Sequence, residues 1–444
     1  MAAAVSPDAV VAASRFGLGP RPGDLARIAG DPRGWLVAQL AAATRLPPGL
    51  GGDGPAGDQL ARLRRLLLDR KARPEDFREL VKAVYLAEAG ARTAAAVVTE
   101  SPYVERLVAF WSNHFTVSSS KPIVAGLCGA FEREAIRPHL GGSFGQLLRA
   151  VATHPAMLIY LDNARSIGPD SPAGRRLGKG LNENYARELL ELHTLGVDGG
   201  YGQGDVQELA RILTGWSVAR GDRPAAGGFR FEPRLHEPGA KMLLGVRYDQ
   251  GGEAEGEAAL DALARHPATA RHVATKLARH FVADDPPAAA IDRLAAVYRQ
   301  SDGDLPSLHR ALIDLPAAWE PPLSKVKSAQ DFVVSALRAT DGELAPAALV
   351  GALRELGQAP FAAPSPAGWP DRATDWIAPE ALMRRVEWGA RLARRSDPTL
   401  APEELAAATI GPLAAADTLT LIARAPDRQD GIALLLASAE FQRR

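Results

Sequence analysis

The sequence predicts a mainly α fold, a multi-helical single globular unit with at most a small β-hairpin near residues 227–248. Three observations predict it. Apolar residues recur at helical spacing through most of the chain. Proline and capping residues stand where those helices would begin. Strand-like runs are confined to "GGFRFEP" (227–233) and "KMLLGVRY" (241–248), which are expected to pair as a hairpin or to lie as extended loop.

Taken in order, residues 59–89 read as a helix, a break at "ARPED" and a second helix. Pro74 suits the first turn of that second helix, and Glu75 and Asp76 are favourable against its positive end. Residues 101–115, 143–158 and 267–282 show the same periodicity. Stretches at 46–58, 166–180 and 221–256 break it and are expected to be loops. No long linker or internal repeat separates them, so one unit is expected, with lobes at about 1–165, 181–320 and 321–444.

With 444 residues the chain is long enough for a large core. Lys+Arg and Asp+Glu both number 52, so the formal net charge is zero. That argues against a broad nucleic-acid or acidic-membrane surface. The single cysteine, Cys128, permits no internal disulfide, and its small apolar neighbours mark a buried structural thiol. No apolar run approaches the roughly 20 residues of a membrane span. No basic, then apolar leader opens the sequence, so a cytoplasmic protein is expected.

The chemistry concentrates in "NENYARELLELHTLGVDGGY", residues 182–201. Asn182 can cap a helix and Gly196 can end it, which places the helix at about 183–195. At about 100° per residue, Glu183, Asn184, Arg187, Glu188 and Glu191 share one polar arc, while His193 falls on the apolar side. Glu188 and Glu191, at i and i+3, could hold a hard cation, or one could keep a raised pKa for acid–base work. Alternatively Glu183, Arg187 and Glu191 form an ordinary i,i+4 ion-pair row. His193 reads as a satisfied, partly buried histidine. The following "DVQELARILTGW" reads as a second helix with capping-box spacing at Asp205 and Glu208, completing an αα-hairpin.

Other polar residues stand in apolar surroundings. Asn113 and His114, flanked by Phe110, Trp111 and Phe115, either line a pocket or finish a helix. His154, before Pro155, looks structural, and Asp162 and Asn163 either terminate a helix or deliver groups to a site. His272, Lys276 and His280 recur at i,i+4 and are expected to pair with the acidic row of 183–191 rather than bind an anion. The chain has no P-loop, EF-hand, Gly-x-Ser-x-Gly elbow, dinucleotide fingerprint or His-Glu-x-x-His. "RFGLGPRPGD" has the glycines but no preceding strand.

"ASRFGLGPRPGD", "FWSNHFTVS", "HPAMLIYLDN", "NENYARELLELHTLGVDGGY", "DVQELARILTGW", "HPATARHVATKLARHFVADDPP", "SDGDL", "KVKSAQDFVVSALRA" and "GWPDRATDWIAPEALMRR" occur in that order. In this the chain resembles the bacterial family called domain of unknown function 1800, over nearly its whole length. The resemblance implies no catalytic residue. It does imply a sulfatase-like partner protein encoded nearby and, for many members, export; the lack of a recognisable leader departs from that. Where members often have His-Asp before Gly-x-Lys, this sequence has His236, Glu237, Gly239 and Lys241.

Two functions are expected from these residues. The first is an enzyme or ligand binder with a carboxylate-rich pocket, in its most concrete form a metal-assisted hydrolase. There Glu188, Glu191 and His114 would hold a divalent metal, Arg187 would join the catalytic set, and Asn113, Glu183, Asn184 and His236 would bind the ligand. The second is a non-catalytic helical scaffold that serves a partner.

Overall fold

The computed structural model describes residues 5–444 except 53, 70, 179, 220–226, 321 and 322. The expected loop 221–256 therefore lies partly outside the described residues. The architecture is mainly α, with two small antiparallel two-stranded sheets among the described residues. No helix among them is long and apolar enough to cross a membrane.

The periodic segments fold where their punctuation places them. The helix Pro74–Val98 starts on proline, with Asp76 accepting from the Arg73 backbone N–H, and Pro102–His114 and Pro267–Phe281 also start on proline. Residues 143–158 are divided at His154, which ends one helix (Phe144–Thr153) and caps the next (Pro155–Tyr160) through its own Nδ1. Ser143 and Gln146 complete a capping box, as do Ser328 and Asp331 for Ala329–Ala339. The expected loop 166–180 contains one short helix, Pro172–Leu177, capped by Ser171.

Strand pairing differs from the expected hairpin. Residues 227–233 and 241–248 do not pair with each other. Strand β1 (Trp216–Val218), expected as a helix end, pairs with β2 (Phe229–Phe231). Strands β3 (Lys241–Leu243) and β4 (Val246–Tyr248) form their own hairpin around Leu244 and Gly245, both with positive φ. Asp205 and Glu208 accept from the backbone N–H groups of Leu244 (2.7 Å) and Met242 (3.0 Å), and so dock that hairpin on the Gln203–Ile212 helix.

Among the described residues two large apolar cores result. One draws on residues 9–323, including Phe16, Tyr103, Trp111 and Phe144; the other draws on residues 329–441, around Phe332, Trp388 and Leu436. The Pro74–Val98 helix touches both, since Ala94 and Val97 pack on the second core. Loop 17–23 crosses between them and is gripped by two buried arginines. Arg106 Nε donates to the Gly17 carbonyl (2.6 Å) and Arg338 Nε to the Gly19 carbonyl (2.7 Å). Gly19 has φ +94°, and a Cβ there would lie 2.7 Å from Ser335 Cβ, so only glycine fits. Cys128 is buried, as expected, and burial raises its thiol pKa.

A third buried cluster fixes the hairpin. Glu255, in the Glu253–Arg265 helix, lies 3.0 Å from Lys241 Nζ and 3.3 Å from His236 Nε2, and the lysine also donates to the Glu237 carbonyl (2.7 Å). Replacing Glu255 by Gln leaves a buried ammonium without its counter-charge. The expected loss is about 3–5 kcal/mol, measured as a lowered urea midpoint. A midpoint within error of wild type would show the cluster to be dispensable.

Candidate functional site

The 182–201 segment folds as an α-turn (Asn184–Glu188) that widens into a π-helix (Leu189–His193). Asn182 Oδ1 accepts from the Asn184 N–H (3.0 Å), but the helix starts one residue later than expected, with Glu183 rather than Asn182 at the cap position. Of the expected ion-pair row, Glu183 and Arg187 pair at 3.3 Å, with Gln203 bridging them. Glu188 and Glu191 form no ion pair among the described residues. Burial and the neighbouring Glu191 raise the Glu188 pKa against the lowering by Arg187. Tyr160, beside Glu188, is pushed up to about 12, mainly by burial.

The π-turn sends the far end of this helix into the larger core. Its last carbonyls have no intrahelical partner, and two imidazoles meet them. His272 Nε2 donates to the Leu192 carbonyl (3.0 Å), and His114 Nε2 donates to the His193 carbonyl (3.1 Å). Gly196 (φ +84°) permits this approach, because a Cβ there would lie 2.7 Å from His272 Nδ1. His193 is fully buried against Phe115, but neither of its ring nitrogens has a hydrogen-bond partner among the described residues. It is therefore buried but not satisfied, contrary to expectation. Burial, with Lys276 adding to it, lowers His114 well below its ordinary pKa, His193 to about 3 and His272 to about 4. All three are neutral at pH 7.

These positions correct the expected metal site. His114 belongs to the buried imidazole cluster, and its Nε2 is committed to a carbonyl. Among the described residues no three His, Cys, Asp or Glu side chains are placed to hold a metal ion, so Glu188, Glu191 and His114 do not form a ligand set. The expected pocket is dispersed as well. His236 is tied to Glu255 and to the Thr214 carbonyl (2.8 Å), Asn184 is exposed, and Asn113 faces elsewhere. Nor does the 272–280 row pair with the acidic stripe. His272 caps the helix end, Lys276 has no ion pair among the described residues, and His280 pairs with Asp371.

Asn113 instead lines a polar cleft where the two cores meet, with ≈ 110 Å³ of free space. Its amide nitrogen donates to the Trp369 carbonyl (2.9 Å) and its oxygen accepts from the Trp369 N–H (2.7 Å), which clamps the 368–371 loop. Behind the cleft runs a network of charges. Arg106 Nη1 lies 3.1 Å from Asp331, and Arg444 Nε 2.9 Å from the other oxygen of the same carboxylate, though not in hydrogen-bond alignment. Arg444 Nη1 donates to the His280 carbonyl (2.8 Å), and Lys325 lies 2.5 Å from Asp284 and 3.5 Å from Asp371. A neighbouring limb joins Glu132 to Arg92 (2.6 Å), Arg137 (2.9 Å) and the Ser112 hydroxyl (3.0 Å).

Burial alone would raise these carboxyls, but neighbouring cations and hydrogen-bond donors outweigh it. Arg92 and Arg137 hold Glu132 near 2; Arg106 and Arg444 hold Asp331, and His280 and Arg444 hold Asp371, well below the ordinary range. His280 goes the other way. Burial lowers it to about 4 although Asp371 Oδ2 lies 2.9 Å from its Nδ1. The ionised carboxylate only accepts, so Nδ1 carries the proton and Nε2 keeps its lone pair. That Nε2 is buried and has no hydrogen-bond partner among the described residues. Sequence reasoning grouped His280 with the basic row and did not single out Asp331, Asp371 or Arg444. The signal available was polarity inside "KVKSAQDF" and "GWPDRATDW".

The architecture and its two-core cleft define a helical protein with a buried charge seam. Residues 11–443 match the model of a family described as protein of unknown function (DUF1800), and the chain belongs to that family. No curated protein and no solved structure matches it.

The neutral histidines make stability depend on pH. Their unfolded pKa is about 6.5, and their folded values are lower, so below pH 6.5 the unfolded state binds more protons. Stability is full above that point and falls as pH drops towards 4, by up to about 1.4 kcal/mol per pH unit for each histidine. The depressed carboxylates add their loss only below about pH 4. Urea midpoints between pH 7 and 4 should decline in wild type and decline less in His193→Phe. Parallel declines would show that His193 is not neutral in the fold.

Proposed function

We propose that the chain binds and acts on a small polar ligand in the cleft between its two cores, with His280 as general base and Asp371 as the residue that orients it. The observation that supports this most is the Asp371–His280 pair on the cleft wall, with Nε2 unpartnered. A neutral imidazole with a fixed tautomer keeps its lone pair at pH 7; with a pKa of about 4 it is a weak base, and the Asp371 carboxylate is the group that stabilises the imidazolium as a proton arrives. Arg106 and Arg444 supply positive charge beside it, and Ser112, Gln330 and Gln358 supply hydrogen-bonding groups. Hydrolysis of an ester is the reaction we assign to it: His280 takes a proton from water as the water oxygen bonds to the acyl or phosphoryl centre, and the bond to the leaving oxygen breaks as that oxygen receives the proton. For the expected metal-assisted version, no set of three ligands is placed together among the described residues. Glu188, with its raised carboxyl beside Glu191, is proposed separately as an acid on the half-exposed stripe.

A second reading has its own observation. Arg106, Arg444 and Lys325 each already have a carboxylate partner. A network so completed can serve only to join the cores of a scaffold, including one that assists a sulfatase-like partner.

Turnover of p-nitrophenyl acetate and p-nitrophenyl phosphate by the full chain separates the two readings. His280→Gln should lower it by about 10²–10⁴-fold with the circular dichroism spectrum unchanged. In wild type the rate should rise through about pH 4 to a plateau, because the base form of His280 dominates above that pH. Turnover equal in wild type and a folded His280→Gln protein contradicts the catalytic reading.

A further inference from the structure

A buried lysine stands apart from the cleft chemistry. Residues 325–327 run antiparallel to 442–444, with Val326 bridged to Arg443 and the Lys327 N–H bonded to the Gln442 carbonyl (2.9 Å). Lys325 finds two carboxylates there, as described above. Lys327 finds none within ion-pair distance among the described residues, although only 4% of it is exposed. Its Nζ lies 3.9 Å from the centroid of the Phe441 ring, whose face stabilises its charge.

Lys327 lines a recess of ≈ 90 Å³ whose walls are largely apolar: Val10, Leu323, Ile410, Leu413 and Phe441. Glu440, the carboxylate among the lining residues, is committed to the Ala415 N–H and the Thr418 hydroxyl, both at 2.9 Å. Charge on the lysine is opposed from several sides. Burial lowers its pKa to about 7; Arg106, Arg385 and Arg444 add to that, and Asp331 opposes it. At neutral pH a large share of the amine therefore carries a free lone pair, which an exposed lysine does not.

We propose that Lys327 is a covalent capture site, whose amine condenses with the carbonyl group of an apolar aldehyde or ketone seated in this recess. The Nζ lone pair attacks the carbonyl carbon, a C–N bond forms, and the C=O π pair moves to oxygen. A proton passes from nitrogen to oxygen and gives a carbinolamine. Nitrogen then expels the hydroxyl as water, taken with one further proton, and after that proton is returned an imine remains. Amine and carbonyl become imine and water, with no oxidant or reductant consumed. The apolar walls select the chain of the ligand, and the lysine reads its carbonyl.

The test uses the full chain at pH 7 with hexanal and sodium cyanoborohydride, which makes the imine permanent as a hexyl-amine. Peptide mapping then compares Lys327 with the exposed Lys71 and Lys82. Alkylation at Lys327 is expected to exceed that at the exposed lysines by roughly ten-fold or more, given its larger free-amine fraction. Glycolaldehyde, which has no apolar chain, should show no such preference. Equal hexyl labelling across the three lysines would overturn the proposal. Equal preference for glycolaldehyde would overturn the apolar ligand class. Lys327→Arg, if it keeps the wild-type melting temperature, should lose the selective adduct; since the primary readout is competition within the wild-type chain, a variant that fails to fold does not remove the test.

Discussion

Asp331 accepts charge from both sides of the molecule, and the relation between the two cores rests on that carboxylate. Arg106 reaches it from a helix of the first core and Arg444 from the C-terminal segment, while Ser328 caps the helix that carries it. The same Arg106 holds the Gly17 carbonyl of the crossing loop. Buried ion pairs add little net stability over apolar packing, yet losing one partner typically costs about 3–5 kcal/mol. The seam therefore fixes an arrangement more than it strengthens it. It also creates a desolvated, charged wall next to a cleft, where His280 is kept neutral and oriented.

Much of the fold is legible because helices repeat a local pattern. Pro74, Pro102 and Pro267 mark helix starts, and the apolar spacing behind them runs as far as the helices do. The strands were harder to read. β1 begins soon after the Gln203–Ile212 helix and has only three residues, so pattern alone does not reveal its partner Phe229–Phe231. The turn at Leu244–Gly245 likewise lacks the Asn-Gly or Asp-Gly that announces such hairpins.

The site was less legible for two physical reasons. Its members come from segments far apart in sequence: Arg106, His280, Asp331, Asp371 and Arg444 meet only through tertiary packing. And the residues that looked most reactive lie on a helix that widens into a π-turn at Leu189–His193. A projection at a constant helical angle rightly buried His193, but it carried no information about what the π-turn exposes at its end: carbonyls that His114 and His272 must cap. Those histidines are spent on backbone, which removes His114 from the carboxylate stripe and leaves Glu188 and Glu191 with each other.

What links the seam to the proposed function is the protonation state of one ring. Multiple-bond ¹⁵N–¹H NMR of the histidine side chains in the full chain, followed from pH 7.5 to 4, reads that state directly. His280 should appear as the neutral Nδ1–H tautomer through neutral pH and gain its second proton only near pH 4. A His280 ring that titrates at the ordinary value of about 6.5, or that carries its neutral proton on Nε2, would contradict the role assigned to the Asp371–His280 pair.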